Sequence, residues 1–273
     1  IWSAPAARML DYPAASFLRF LDNHGLLNLG VRPAWRTVSG GSREYVSRLL
    51  DDATIERQVG APVTKVSRGA GGVRVTVEGG GVRAFDQVVF ACHADQALKL
   101  IEAPSPLERD LLGAFSYSLN RAVLHEDVRF MPRRRRVWSS WNYVAKDGGH
   151  HAETCVTYWM NSLQGLKTKS DLFVTLNPQV EPERMHAEIA YHHPVFDAAT
   201  NAARRRLWAL QGQQGSWFCG SYFGDGFHED GLQSGLAVAE ALGGVRRPWQ
   251  VENESGRIPL PAADAPALRQ AAE

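Results

Sequence analysis

Apolar residues recur at helical spacing in two stretches near the start of the chain. In "SFLRFLDNHGLL" (16–27) Phe17, Leu18, Phe20 and Leu21 predict a short helix that stops near Gly25. In "WRTVSGGSREYVSRLLDD" Gly40 and Gly41 form a turn, Ser42 stands at the N-cap, and Tyr45, Val46, Leu49 and Leu50 supply a helical apolar face. A tight glycine loop therefore opens onto a helix N-terminus. The period then changes to two: "APVTKVSR", "GGVRVTVEG" and "DQVVFACH" read as strands separated by Gly-rich turns. "FDQVVFA" has the near-continuous apolar core of a strand buried on both faces, as in parallel sheets. The helix "ADQALKLIE" follows it, and another is predicted from Leu107 to Phe115.

Beyond this point helix is scarce. "SLNRAVLHED", "RRVWSSWNYV", "ETCVTYWMNSL", "DLFVTLN" and "RMHAEIAYHHP" are strand-like and predict a separate, largely antiparallel sheet. A helix, "DAATNAARRRLWALQG", leads to the strand "SWFCG" and then to "GSYFGDGFHEDGLQSGLAVAEAL", a glycine loop that runs into a helix. The polar, Pro- and Ala-rich segment 246–273 reads as a disordered tail. The fold class is α/β, and α+β overall, with α/β segments flanking a sheet-rich insertion.

Composition narrows the partners. Thirty Lys and Arg against 29 Asp and Glu leave a net charge of +1, with no whole-protein bias toward nucleic acid or an anionic membrane. The run Arg133 to Arg136 is the local exception, a solvated loop or a contact for lipid head groups. Cys92, Cys155 and Cys219 are far apart and in apolar contexts, which suits a reducing, cytoplasmic compartment. No run of about 18 apolar residues predicts a spanning helix. The chain opens on "IWSAPAARML" without Met, which leads to the expectation of upstream sequence. His150 with His151 and His192 with His193 lack metal-ligand spacing, so no metal is assigned. With no G-x-S-x-G and no Cys–His pairing, covalent hydrolase chemistry has no support.

Glycine loops at helix N-termini in two distant parts of an α/β layer are what a nucleotide cofactor requires, because free amides and the helix dipole favour phosphate or a polarised carbonyl. "GGGVRA" (79–84) formally matches the dinucleotide fingerprint, but it lies between strands with no helix after it and reads as a hairpin turn. The pyrophosphate loop is expected upstream of Ile1.

The segments "WRTVSGGSREYVSRL", "VTKVSRGAGGVRVTVEG", "FDQVVFACHADQAL" and "WFCGSYFGDGFHEDGLQSGLAVAEAL" resemble the middle and end of an FAD-dependent oxidoreductase of the flavin-containing amine oxidase and phytoene desaturase superfamily. "MPRRRRVWSSWNY", "VTYWMNSLQ", "LFVTLNP" and "GFHEDGL" resemble a bacterial branch of NAD/FAD-binding proteins within it. The resemblance implies an incomplete FAD/NAD(P)-binding Rossmann-like domain from residues 36–98 and 213–245, and a substrate-binding domain from 1–35 and 99–212. FAD is the implied cofactor. Gly40, Gly41 and Ser42 would lie beside it, Val63 would meet the adenine end, and Ala91 would pass the ribose and pyrophosphate. Gly220 would end the last strand of the cofactor sheet. The amides of Asp230, Gly231 and Leu232 would face the flavin pyrimidine ring, with Gly231 and Gly235 allowing close approach.

This sequence departs from the family in two places. The acidic residue common after the glycine matching Gly220 is replaced by Ser221, so the contact it makes is weaker or is supplied by Asp225. The lysine that many amine oxidases hold near flavin N5 aligns with Asn120, which puts amine oxidation in doubt. Trp141, Tyr143 and Tyr158, with Trp138 and Trp159, are candidates to line an apolar cavity, although strand alternation puts some on each face. The expected activity is hydride transfer from an apolar or lipid-like small molecule to flavin. A redox-neutral isomerase or desaturase on unsaturated acyl chains, or a non-catalytic apolar-ligand binding module, is the alternative. No nucleic-acid partner is expected.

Overall fold

The structure is a computed structural model that describes residues 14–23, 25–27, 30, 34, 36–51, 55–145, 154–251 and 254–261. In chain order its elements begin with α1 (Ala14–Asn23), α2 (Arg43–Asp51), β1 (Val63–Gly69), β2 (Gly72–Val77), β3 (Val82–Phe85), β4 (Val88–Phe90), α3 (Ala94–Leu100) and α4 (Pro106–Gly113). They continue with β5 (Ser116–His125), β6 (Trp141–Ala145), β7 (Thr154–Trp159), α5 (Met160–Gln164), β8 (Phe173–Leu176), β9 (Met185–Val195), α6 (Ala198–Arg204), β10 (Ser216–Phe218) and α7 (His228–Ala241). The chain divides into two compact units, Ile1–Arg57 with Tyr117–His193, and Gln58–Ser116 with Pro194–Glu273. "IWSAPAARML", His150 and His151 lie outside the described residues.

In the second of these units β1, β2 and β3 form an antiparallel meander. The β2–β3 turn closes with the Val77 amide on the Gly81 carbonyl at 2.9 Å, and glycines at 79 and 80 hold φ of 88° and 92°. The "GGGVRA" segment is thus a hairpin, as its setting between strands predicts. β4 and β10 pair in parallel, Ser216 with Val88, Trp217 with Val89 and Phe218 with Phe90, which brings together residues more than a hundred positions apart. The stacked rings of Phe90 and Phe218, 5.1 Å apart, anchor that pair in the core. The expectation that β4 is buried on both faces is corrected: Val89 is 42% exposed, because no described element covers its side of the strand.

The start of α4 is set by its sequence. Ser105 and Glu108 form a reciprocal capping box, and Pro106 sits in the first turn, where no amide partner is needed. The Glu108 carboxylate is buried and takes a bidentate bond from Arg68 of β1, whose guanidinium also bonds Ser216 of β10 at 3.1 Å. One ion pair thereby ties both small sheets to α4.

The segment 246–261 corrects the expectation of a disordered tail. Arg247 is buried against Glu240 of α7, with Nε to Oε1 at 2.7 Å, and Ser255 and Ile258 are also buried. Composition concealed this because the packing uses long charged side chains, Arg246 and Arg247 reaching back six and seven residues to Glu240 at the end of α7, rather than an apolar run. Residues 252–253 and 262–273 lie outside the described residues.

In the other unit the five strands read from the middle of the sequence form one sheet of order β6-β7-β8-β5-β9. β6–β7, β7–β8 and β5–β8 are antiparallel. On one face Val123, Thr157, Phe173 and Thr175 are fully buried, and Trp138 packs edge-on against Trp159 and Phe173. Strand alternation puts Trp141, Tyr143, Val156, Tyr158 and Val174 on the opposite face. α2, by contrast, buries none of its residues, and its Tyr45, Val46 and Leu49 are exposed. No helix among the described residues is long and apolar enough to cross a membrane.

Candidate functional site

The glycine loop before α7 is built by internal crowding. Gly220 has φ of 153°, and a Cβ there would lie 2.8 Å from the Tyr222 ring. Its amide and carbonyl both bond the buried Ser234 hydroxyl, at 3.0 and 3.1 Å, which fixes the end of β10 against α7. A Cβ on Gly224 would collide with the Asp230 carboxylate, and one on Gly226 would press the Phe196 ring at 3.1 Å. Gly231 and Gly235 differ: a Cβ at 231 would meet only the Ser221 amide at 3.8 Å, and at 235 nothing within 4 Å. Protein packing demands the loop glycines and leaves the helix glycines unexplained.

Asp230 is fully buried and holds the loop in place. Its Oδ2 accepts from the amides of Asp225 and Phe227 at 2.9 and 2.8 Å, and its Oδ1 takes the Arg257 Nε at 2.5 Å. The N-cap residue, Phe227, has no side-chain acceptor for the first amides of α7. The amides of Asp230 and Gly231 bond the Phe227 carbonyl at 3.1 and 3.2 Å. The expectation that they face a ligand is therefore corrected: the donors without an acceptor among the described residues are those of His228 and Glu229, one turn position earlier. Leu232 is 54% exposed and lies beyond the first turn.

Asp225, the expected stand-in for the missing acidic residue, is already engaged within the protein. It is buried and bonds Arg204 at 2.5 Å, so its charge is spent on a guanidinium that also holds the Gly224 carbonyl. Ser221 is half-buried, and its hydroxyl has no partner among the described residues, which leaves it able to bond a ligand. Sequence reasoning missed Arg204 and Arg257. Arg257 lies 27 residues from its partner in a segment that carries no motif, so nothing local marks it.

Val63 and Ala91 come together as walls of one hollow of about 560 Å³, with Val75, Val89 and Cys92 beside them and Lys99 at its edge. The hollow is chiefly apolar and bordered by Gln96, Lys99 and Leu100 of α3, a setting suited to a flat heteroaromatic ring. Burial, with the charge of Asp95, pushes the Cys92 thiol above its ordinary range, so it stays protonated and unreactive at neutral pH. Gly40 and Gly41, with φ of 85° and 88°, form the expected turn before α2, and the Ser42 carbonyl accepts the first helical bond from Val46 at 3.2 Å. All three belong to the other unit.

The substrate candidates share one face of the five-stranded sheet. Trp141 opposes Tyr158, which opposes Val174, and Val174 opposes Leu124; Tyr143 opposes Val156. Asn120 falls on the same face by alternation along β5. Trp141 and Tyr143 are more than half exposed, and no carboxylate occupies these positions. Asn120 is buried, donating to the Ser118 carbonyl at 3.1 Å and accepting from Asn177 at 2.9 Å. Trp138 and Trp159 belong to the buried side, and with them His125, whose Nδ1 accepts the Asp127 amide while Nε2 meets Thr175 at 2.7 Å. That network is sealed from solvent and structural.

One unit thus pairs a glycine loop and a helix N-terminus with a small parallel strand pair, and the other is a five-stranded sheet. Residues 14–243 match the flavin containing amine oxidoreductase family, and the chain belongs to it. FAD is the cofactor of that family. Three solved structures share the fold at low identity. A CLA-producing fatty acid isomerase from P. acnes matches at 14% identity and a TM-score of 0.52, over 80% of this chain and 57% of that one. A provisionally named protoporphyrinogen oxidase from Exiguobacterium sp. 255-15 matches at 13% and 0.54, over 84% and 57%. A putrescine oxidase with a redesigned cofactor site matches at 13% and 0.52, over 74% and 52%. The chain thus spans a little over half the length of these structures. No curated protein matches the sequence significantly.

Proposed function

We propose that this chain is the substrate-bearing and flavin-contacting part of an FAD-dependent oxidoreductase that acts on an apolar, lipid-like small molecule. The residues fit the cofactor at three points: the apolar hollow at Val63 and Ala91, the open hydroxyl of Ser221, and the uncapped amides of His228 and Glu229. When bound, FAD supplies a two-electron acceptor. The amides of His228 and Glu229 at the start of α7, backed by the helix dipole, would hold negative charge on the bound flavin. Gly40, Gly41 and Ser42 are assigned to the cofactor by family resemblance alone. The domain expectation, a cofactor domain from 36–98 and 213–245 around a substrate domain, is retained as part of this proposal.

The observation that carries the substrate class is the shared face of Trp141, Tyr143, Tyr158, Val156 and Val174, which offers apolar surface and no carboxylate for an ammonium. The buried, doubly bonded amide of Asn120 at the position of the amine oxidase lysine points the same way, since it neither titrates nor faces water. It favours, as second reading, a redox-neutral isomerase of unsaturated acyl chains, the activity named for one structural neighbour.

The purified protein is expected to retain the visible flavin band through gel filtration. Turnover of an unsaturated fatty acid with oxygen uptake would mark an oxidase; a shifted double bond without oxygen uptake would mark the isomerase. A protein that is colourless and cannot be reconstituted with FAD would refute both. Turnover of a diamine in preference to the fatty acid would overturn the substrate class.

A further inference from the structure

The basic run at 133–136 is folded rather than loose. A 3-10 turn spans Arg135–Val137, with the Val137 amide on the Arg134 carbonyl and the Trp138 amide on that of Arg135, both at 3.0 Å. Arg135 is held against the protein surface: its guanidinium lies 4.6 Å from the Trp138 ring and 5.4 Å from that of Trp159, and bonds both oxygens of Asp171. The Trp138 indole donates to the Pro132 carbonyl at 2.7 Å. These contacts pin the turn and leave Arg133, Arg134 and Arg136 pointing into solvent.

None of those three has an ion-pair partner among the described residues. Asp171, the carboxylate at this place, is already neutralised by Arg135. The segment it anchors, 165–171, carries Lys167 and Lys169, both exposed and also without partners. Five free cations therefore collect around one corner of a chain whose net charge is only +1. The same turn displays an apolar side chain, Val137, which is 55% exposed. Cations that reach head groups around an exposed apolar side chain are the composition of a peripheral contact with an anionic bilayer.

We propose that this corner docks the protein on an anionic lipid surface through Arg133, Arg134, Arg136, Lys167 and Lys169, with Val137 entering the interface. The inference rests on surface chemistry alone and does not depend on flavin or turnover.

The test is co-sedimentation of the 273-residue chain with vesicles. With ~30 mol % phosphatidylglycerol in phosphatidylcholine at about 0.1 M salt, binding is expected, and it should fall steeply as salt is raised. Vesicles of phosphatidylcholine alone should bind little. The triple variant R133E, R134E, R136E, changed only at exposed positions, should lose about a hundredfold or more in partitioning while keeping its circular dichroism spectrum. Val137→Asp should keep the salt dependence and bind more weakly. Equal binding to neutral vesicles, no binding to anionic ones, or an undiminished triple variant would overturn the proposal. So would displacement from the vesicles by a single-stranded oligonucleotide at equal charge concentration, which would make nucleic acid the occupant. Because no readout involves flavin, failure here leaves the enzymatic reading untouched.

Discussion

At the residue scale, the glycines around α7 separate by what they face. Gly224 is required by the Asp230 carboxylate, which caps the loop while paired to Arg257. Gly224→Ala forces that carboxylate off two amides and is expected to cost about 1–3 kcal/mol, as overpacking of a filled interior does. Urea denaturation of the ligand-free chain measures it, and an unchanged midpoint would mean that the loop yields freely. The sequence shows a glycine loop running into a helix, and that much was legible. Which glycines serve the protein and which serve a ligand was not, because the crowding atoms of Asp230 and Phe196 are brought in by the tertiary fold. The pairing of Asp225 was hidden for the same reason: nothing near it in sequence announces Arg204 as its partner.

At the element scale, α7 keeps a glycine in its interior that costs helix stability and, in the structure, buys no packing. Gly235→Ala is expected to stabilise the ligand-free chain by about 0.5–1 kcal/mol, since it removes backbone freedom and meets no atom within 4 Å. The same substitution should weaken FAD binding if the cofactor closes on that side of the helix. A loss of stability instead would mean that the helix needs the glycine for the protein itself. The strands were well read from period two, including all five of the larger sheet and the parallel character of β4. Two amphipathic signals overreached. α2 has the predicted apolar face but no described residue covers it, and β4 leaves Val89 open. Periodicity reports which side wants burial, and it cannot say whether the covering partner lies within these residues. β3 was visible only as the far side of a hairpin turn, because four exposed residues carry no hydrophobic alternation.

At the scale of the whole molecule, acid should act on both units in two steps. In one unit, burial would raise Glu108 and Glu240, but the bonds from Arg68 and Arg247 more than offset it and hold both below the ordinary carboxylate range. In the other, Arg129 depresses Asp127 and Arg135 depresses Asp171. For all four the unfolded chain takes up protons first as pH falls, so their stabilisation is complete at neutral pH and is lost below about 4. His125 adds an earlier step. Burial lowers its affinity for a proton against the opposing charge of Asp127, so it stays neutral when folded, whereas an unfolded histidine charges below about 6.5. Folding stability should therefore be flat above about pH 7, decline first between about 6.5 and 5, and fall steeply below 4. Urea midpoints across that range measure it. His125→Phe should remove the first decline and leave the acid limb, since the variant loses the one imidazole that is buried among the described residues and none of the four carboxylates. A first decline that survives in His125→Phe would assign it to an exposed histidine, and the neutral, sealed state of the Thr157–Thr175–His125 network would be wrong.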